Sequence, residues 1–158
     1  MLHFIIDGYN LINRIPHISK KPLALQREYL INLISGFKFT MSRRNKVTVV
    51  FDGKEDVYSC PLVQKPVKVI FSKGLDADSL IKDMVGRERC AGQLIVITDD
   101  KGLIAGIRGR GAQHKSTEDF LKDIYRKQAD IEPDNFKIGT KQMRQINQEI
   151  KDIWSKKY

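Results

Sequence analysis

Short runs of apolar, β-branched residues alternate along this chain with longer segments in which apolar residues recur at helical spacing. The short runs predict strands, each ended by a polar residue or a glycine. These strands are Leu2 to Ile6, Lys46 to Phe51, Val67 to Phe71 and Gln93 to Thr98, with a short fifth strand within RGAQHK at 110–115. The longer segments predict helices at 23–39, 77–90, 102–110, 118–128 and about 140–154.

Strands and helices that alternate in this way are typical of a mostly parallel sheet covered by helices on its faces. The chain has 158 residues, which suits one domain with a substantial hydrophobic core, and we find no repeat or linker that divides it. The sequence therefore predicts a single α/β domain over residues 1–158, with four to five strands.

The charge of the chain points to a polyanionic partner, because 28 Lys and Arg against 19 Asp and Glu give a net charge of +9. Basic residues cluster in SRRNK at 42–46, in RGRGAQHK at 108–115 and toward the C-terminus. Nucleic acid is the favoured partner and an anionic membrane surface the alternative. The residues expected to contact RNA are Arg43, Arg44, Lys46, Arg108, Arg110 and Lys115.

Several other classes of protein are disfavoured. The sequence has no bilayer-spanning apolar run and no secretory signal pattern, so we expect a cytoplasmic protein without a membrane partner. Cys60 and Cys90 have no metal-ligand spacing and are expected to be ordinary, at least partly buried thiols. The segment DGYNLI after the first strand provides neither a dinucleotide-binding glycine pattern nor the second aspartate of a haloacid-dehalogenase phosphatase.

Aspartates follow the predicted strands. Asp7, Asp52 and the pair Asp99 and Asp100 close three strands, and DAD at 76–78 follows another at the start of a helix. Parallel strands present their carboxyl ends at one edge of a sheet, where ligands bind. Carboxylates that converge there repel one another unless a divalent cation such as Mg²⁺ or Mn²⁺ lies between them. An acidic pocket beside basic surfaces favours metal-dependent cleavage of a nucleic acid.

Each aspartate also has a purely structural interpretation. Asp76 is a candidate N-cap for the helix that contains Asp78, and Asp99 or Asp100 could cap the helix that begins near Lys101. Ser116 begins STED and is the expected N-cap of the helix at 118–128.

Five short motifs carry a family resemblance. They are IDGYN at 6–10, VVFDG at 49–53, DADSLI at 76–81, VITDD at 96–100 and RGRGAQHKSTEDFL at 108–121. In order and spacing they resemble the YacP-like NYN domains, over about residues 1–128. This resemblance implies a PIN-like three-layer fold and a metal-dependent endoribonuclease, in a family whose substrates include messenger RNA engaged by ribosomes.

Carried over by position, the resemblance implies that Asp7, Asp78 and Asp100 are the catalytic acids and hold the metal. Asp78 matches the acid of a Thr-Ala-Asp-x-x-Ile pattern, and Asp100 matches that of Thr-Ser-Asp. Asp52 is expected as an outer metal ligand. Asn10, Asp76 and Asp99 are expected to support the site.

The chain departs from the family pattern around these acids. Asp76 replaces the usual threonine and Asp99 the usual serine, which we expect to add negative charge near the metal. Lys82 stands where the family usually has glutamate, and Leu103 and Ile104 replace polar residues. Two hypotheses therefore stay open: an active endoribonuclease, or a basic RNA- or ribosome-binding module with a degenerate pocket.

Overall fold

The computed structural model describes residues 1–39, 41–53 and 67–129. Within them, five parallel strands form one sheet in the order β3-β2-β1-β4-β5. The strands are β1 (His3–Asp7), β2 (Lys46–Phe51), β3 (Lys68–Phe71), β4 (Leu94–Ile97) and β5 (Gln113–Lys115). The predicted α/β architecture is confirmed, including the short strand within RGAQHK.

The helices of the described residues are α1 (Gly8–Ile12), α2 (Pro16–Ser19), α3 (Leu23–Phe39), α4 (Ala77–Arg87), α5 (Lys101–Arg108) and α6 (Thr117–Ala129). Helix α3 has its predicted bounds, and α4 ends three residues earlier than predicted, at Arg87 instead of Cys90. None of these helices is long and apolar enough to cross a bilayer. The helix predicted at about 140–154 lies outside the described residues, and the prediction of one domain over 1–158 stays a prediction.

Alternate residues of the central strands contribute side chains to two hydrophobic cores, one on each face of the sheet. Ile6 of β1 belongs to the core under α1, α2, α3 and α6, which includes Ile34 and Phe120. Its neighbour Ile5 belongs to the core under α4 and α5, which includes Ile81 and Leu103. Since strand side chains point alternately to opposite faces, strands buried on both faces read as continuous apolar runs. The molecule therefore has the expected three layers.

The register of the sheet gives it two distinct edges. His3, the first residue of β1, is aligned with Lys46 of β2 and Leu94 of β4, so these strands start together. We call this the amino edge. At the other end, which we call the carboxyl edge, Asp7 is aligned with Val50, and α1, α4 and α5 begin there.

One local feature differs from the expectations and another agrees with them. Cys90 is exposed and free, because it lies in the connection between α4 and β4 instead of inside the predicted longer helix. Cys60 lies outside the described residues. Ser116 caps α6 as expected, since its Oγ accepts a hydrogen bond from the Asp119 backbone N at 3.1 Å.

Candidate active site at the carboxyl edge

Asp7 is a buried carboxylate at the end of the central strand. It is the N-cap of α1, and its Oδ1 accepts a hydrogen bond from the Asn10 backbone N at 3.2 Å. Its Oδ2 accepts one from Thr98 Oγ1 at 3.3 Å. Only 8% of the residue is exposed. Two directional donors therefore fix this carboxylate at the carboxyl edge.

Gly8 permits this arrangement because the chain passes close to an aromatic ring. A Cβ at Gly8 would lie 2.4 Å from Phe51 Cε1 and 3.0 Å from the Val50 carbonyl oxygen. Its φ is not in the positive range where glycine is favoured. Gly8 is therefore required by packing: it lets α1 begin directly against β2.

Asp7, Asp78 and Asp100 interact electrostatically. Burial, together with the negative charges of Asp78 and Asp100, raises the pKa of Asp7 from 3.8 to about 6, against the opposing effect of the hydrogen bonds from Asn10 and Thr98. Burial also raises the pKa of Asp78, followed by the charge of Asp100. The fold thus brings three acids that are far apart in sequence close enough for their negative charges to interact.

Asp78 and Asp100 keep carboxylate oxygens that the fold does not use. Asp100 is the N-cap of α5 and accepts the Leu103 N–H through Oδ1 at 2.7 Å. Among the described residues, its Oδ2 accepts no hydrogen bond, and neither oxygen of Asp78 accepts one. Asp78 lies in the first turn of α4, which points it toward the same edge. Free carboxylate oxygens can bind a cation, since a carboxylate has about four acceptor positions.

The remaining predicted acids accept hydrogen bonds that stabilise the local structure of the carboxyl edge. Asp76 caps α4 through the Ser79 backbone N at 2.6 Å and the Ser79 hydroxyl at 2.8 Å, which lower its pKa. Asp52 accepts a hydrogen bond from Ser72 Oγ at 2.8 Å.

Asp99 points away from the other acids. Its Oδ1 accepts the Thr117 N–H at 3.0 Å, and its Oδ2 pairs with Arg14 Nε at 2.9 Å and accepts from the Thr117 hydroxyl. Partial burial opposes ionisation, but the hydrogen bonds from Thr117 and the charge of Arg14 hold the pKa of Asp99 below its usual value. The negative charge of Asp99 is therefore paired with Arg14 inside the protein, and the expected addition of charge near a metal stays a prediction.

The acids are suited to a hydrated cation more than to a closed metal cage. Within the described residues, no three His, Cys, Asp or Glu side chains are arranged to hold a metal ion together. Mg²⁺ is commonly bound by one or two carboxylates and completes its octahedral shell with water or substrate oxygens. The free oxygens of Asp78 and Asp100 beside Asp7 fit that mode of binding.

Comparison with known proteins identifies the family. The YacP-like NYN domain model matches residues 4–158. The chain belongs to the YacP-like NYN domain family. The match extends past residue 128, where the motif resemblance ends, so the C-terminal segment is part of the family sequence. A search of curated proteins finds no match.

Solved structures agree with this assignment of the NYN domain. The crystal structure of Rae1 (YacP) from Bacillus subtilis is 26% identical, with a TM-score of 0.66, covering 99% of this chain and 84% of that chain. A mutant of the same protein is 27% identical, with a TM-score of 0.68, covering 82% and 79%. This chain therefore shares the nuclease-type α/β fold of these structures.

An open cleft of about 460 Å³ lies beside Asp100 of the NYN domain, and neither Asp7 nor Asp78 is among the residues that line it. Asn10, Asp100 and the first residues of α5 line it, together with Arg14 and Asp99. The Asn10 side chain accepts the Asp99 N–H through Oδ1 at 2.9 Å. Asn10 therefore holds the β4–α5 connection with its side chain and Asp7 with its backbone N–H, and its role in supporting a reaction stays a prediction.

Thr98 is a residue of this NYN domain site that we did not predict. Its buried hydroxyl donates to Asp7 and accepts the Asp100 N–H at 3.1 Å, so one side chain links two of the acids. The motif VITDD contains this threonine, but it also continues a β-branched strand and gives no separate signal in the sequence.

The predicted RNA-binding residues do not surround the acids. Arg43, Arg44 and Lys46 lead into β2 at the amino edge, and Arg108 and Arg110 lie at and beyond the end of α5. Helix α5 begins beside Asp100 and has eight residues, which is about 12 Å of helix. Lys115 lies at the carboxyl edge but is paired with Asp123. The basic rim that we expected around the pocket is therefore largely at the opposite edge of the sheet.

Proposed function

We propose that this protein is a metal-dependent endoribonuclease that hydrolyses RNA phosphodiester bonds at the carboxyl edge. Asp7, Asp78 and Asp100 are the acids of the reaction, and they would hold Mg²⁺ or Mn²⁺. Asp52 contributes negative charge from the outer part of the site. The family resemblance favours messenger RNA on ribosomes, in the cytoplasm, as the substrate.

The observation that carries this proposal is the coupling of a buried acid to two acids with free oxygens. Burial and the charges of Asp78 and Asp100 raise the pKa of Asp7 to about 6, so ionising Asp7 costs more free energy than ionising an ordinary aspartate, and a bound cation would offset that cost. A structural role explains Asp76 and Asp99, which are engaged by Ser79 and Thr117. Asp78 has no comparable structural role, because neither of its carboxylate oxygens accepts a hydrogen bond from the described residues.

Hydrogen bonds from other residues of the chain hold the acids in position. Asn10 and Thr98 fix the Asp7 carboxylate, and Thr98 also fixes the backbone at Asp100. A divalent cation at such acids lowers the pKa of a bound water and stabilises charge on a phosphate. The open cleft beside Asp100 leaves room for the RNA backbone next to the acids.

The first test separates binding of the cation from catalysis. We expect Mg²⁺ or Mn²⁺ to raise the melting temperature of the wild type, because a ligand that binds only the folded state stabilises it. Asp78→Asn and Asp100→Asn should reduce this increase and abolish cleavage of RNA. Asp83→Asn is the matched control, since Asp83 lies on the same helix as Asp78 and pairs with Arg87.

The outcome also distinguishes the alternative function. Cation binding and RNA cleavage that are both unaffected by Asp78→Asn would contradict the proposed site. RNA binding without cleavage, on naked RNA and on ribosomes, would favour the RNA- or ribosome-binding module with a degenerate pocket.

A further inference from the structure

Exposed cations gather at the amino edge of the sheet, opposite the acids. The connections into β2, β4 and β5 meet at this edge, because Lys46 and Leu94 are both aligned with His3 and Gln113 is aligned with Ile95. These connections and the end of α5 carry six exposed basic side chains, which we call the amino-edge surface: Arg43, Arg44, Lys46, Arg89, Arg108 and Arg110.

These cations are free of carboxylate partners. Within residues 1–39, 41–53 and 67–129, none of the six forms an ion pair. At the carboxyl edge, by contrast, Arg14 pairs with Asp99 and Lys115 with Asp123. Arg14 and Lys115 are thus paired inside the protein, whereas the six amino-edge cations, like Lys101 beside Asp100, have no ion-pair partner among the described residues. The amino-edge cations are therefore available together to an external anion.

The glycines of α4 and α5 help to present this surface. The Arg110 side chain lies against Gly86, where an added Cβ would be 3.6 Å from Arg110 Nε, and it donates to the Gly106 carbonyl oxygen at 2.8 Å. Arg110 is thereby held across the ends of both helices. Burial and then the charge of Lys46 lower the pKa of His3 at this edge; the charge of Glu88 opposes this effect and that of Lys68 adds to it.

The surface has the features of a site for phosphates and lacks those of a site for bases. Proteins that bind single-stranded nucleic acid commonly stack bases on exposed aromatic rings. The large hydrophobic side chains exposed in the described residues are Met1, Leu23, Leu25 and Leu75, none of them aromatic. Base-paired RNA is contacted largely through its phosphates and ribose hydroxyls, for which Arg and Lys suffice.

We propose that the amino-edge surface binds the backbone of a base-paired RNA segment, separately from cleavage at the carboxyl edge. Helix α4 spans the distance between the two edges, and its 11 residues correspond to about 16 Å. One RNA that reaches both edges must therefore extend beyond the nucleotides that lie at the acids. This inference rests on the proposed function only for the choice of RNA as the substrate class.

Binding should be measured with the Asp78→Asn protein, so that no RNA is cut. The probes are an RNA hairpin and an unstructured RNA of equal length and charge. We expect Arg43→Gln/Arg44→Gln and Arg108→Gln/Arg110→Gln each to weaken hairpin binding about tenfold or more. Each should also reduce the slope of log affinity against log salt by about 0.7 to 0.9 per lost phosphate contact.

The matched control is Lys20→Gln/Lys21→Gln, an exposed basic pair outside the amino-edge surface. Equal losses in this control would show that only net charge matters and would overturn the proposal. So would equal losses on the hairpin and the unstructured RNA, or preferential binding to anionic phospholipid vesicles over the hairpin. Melting temperatures of all variants show whether each is folded.

A second readout separates this proposal from the proposed function. In the otherwise wild-type protein, the amino-edge variants should raise KM for a structured substrate and leave cleavage of a short unstructured RNA unchanged. Loss of cleavage on the short RNA would contradict the separation of the two surfaces. Absence of cleavage by the wild type would refute the nuclease assignment and leave the binding result standing.

Discussion

The Lys82 side chain lies across Gly106, so that α4 and α5 approach each other closely. A Cβ added at Gly106 would lie 2.9 Å from Lys82 Cε. Burial and the charge of Asp100 raise the pKa of Asp78, whereas the ammonium of Lys82 lowers it. Because Gly106 has no side chain, the Lys82 stem can lie across it and place a positive charge near the acids. The family usually has glutamate at the position of Lys82.

Replacing this charge should change the affinity for the cation. We expect Lys82→Met to bind Mg²⁺ more tightly than the wild type by about two- to fivefold, because a nearby positive charge repels the ion and exposed charges are screened. The measurement is the Mg²⁺ concentration that gives half of the maximal thermal stabilisation. Gly106→Ala should change this concentration in the same direction, since it displaces the Lys82 stem.

Arg87→Met is the control for Lys82, because Arg87 lies on the same helix at the amino edge. It should leave the affinity for Mg²⁺ unchanged. A Lys82→Met protein with weaker Mg²⁺ binding would mean that the lysine positions the acids instead of opposing the cation.

Asp7 should make the protein less stable as the pH rises through the weakly acidic range. Its pKa is raised from 3.8 to about 6, so between these values the folded state binds more protons than the unfolded state. The free energy of unfolding then falls with rising pH, and the loss is complete above pH 6. Asp7→Asn removes this loss and should stabilise the metal-free protein at neutral pH by about 1–3 kcal/mol.

The comparison requires denaturant unfolding of both proteins with a chelator present. The stabilising effect of Asp7→Asn should shrink toward pH 4, near the ordinary pKa of 3.8. Asp83→Asn, at an exposed ion pair, is the control for loss of an aspartate outside the site. An equal effect of Asp7→Asn at both pH values would show that Asp7 does not carry the raised pKa.

Gly8 should tolerate no side chain. Alanine there would place a methyl group 2.4 Å from the Phe51 ring and 3.0 Å from the Val50 carbonyl oxygen. We expect Gly8→Ala to lower the free energy of unfolding by about 1–3 kcal/mol, because added volume in a packed core forces displacement. Thermal and denaturant unfolding measure this loss.

Gly92→Ala is the matched control, since a Cβ at Gly92 meets nothing within 4 Å. It should change stability little. Equal losses of stability in Gly8→Ala and Gly92→Ala would contradict the packing explanation of Gly8.

The sheet could be predicted because its sequence is locally consistent. The run KVTVVF of β2 is β-branched and apolar, and the structure confirms its bounds at Lys46 and Phe51. Helices α1 and α2 could not be predicted, because they have five and four residues and are too short to give a helical period. Their positions depend on Asp7 as a cap and on close packing at Gly8.

The roles of neighbouring acids could be predicted only in part. Asp99 and Asp100 are adjacent at a strand end, yet one pairs with Arg14 and the other keeps a free oxygen near Asp7. Side-chain direction decides this difference, and it depends on Thr117, which is distant in sequence. The placement of the basic clusters likewise follows from helix length and sheet register, which local composition does not encode.

Asp99 should contribute to stability instead of catalysis. It joins α1, α5 and α6 through Arg14 and through the Thr117 N–H at 3.0 Å. Asp99→Ala leaves the amide of buried Thr117 without this acceptor and should cost about 1–3 kcal/mol. Because the pKa of Asp99 is lowered, its contribution is present above pH 3.8 and is lost as the pH falls through the lowered value.

Cleavage and unfolding measured on the same variants separate this role from that of Asp100. At a temperature where both variants are folded, Asp99→Ala should keep most of the RNA cleavage per folded molecule, whereas Asp100→Asn should lose it. Asp99→Ser, the residue usual in the family, restores a hydroxyl acceptor and should recover part of the lost stability. Loss of cleavage in a stable Asp99→Ser protein would show that the Asp99 charge acts on the substrate or the cation directly.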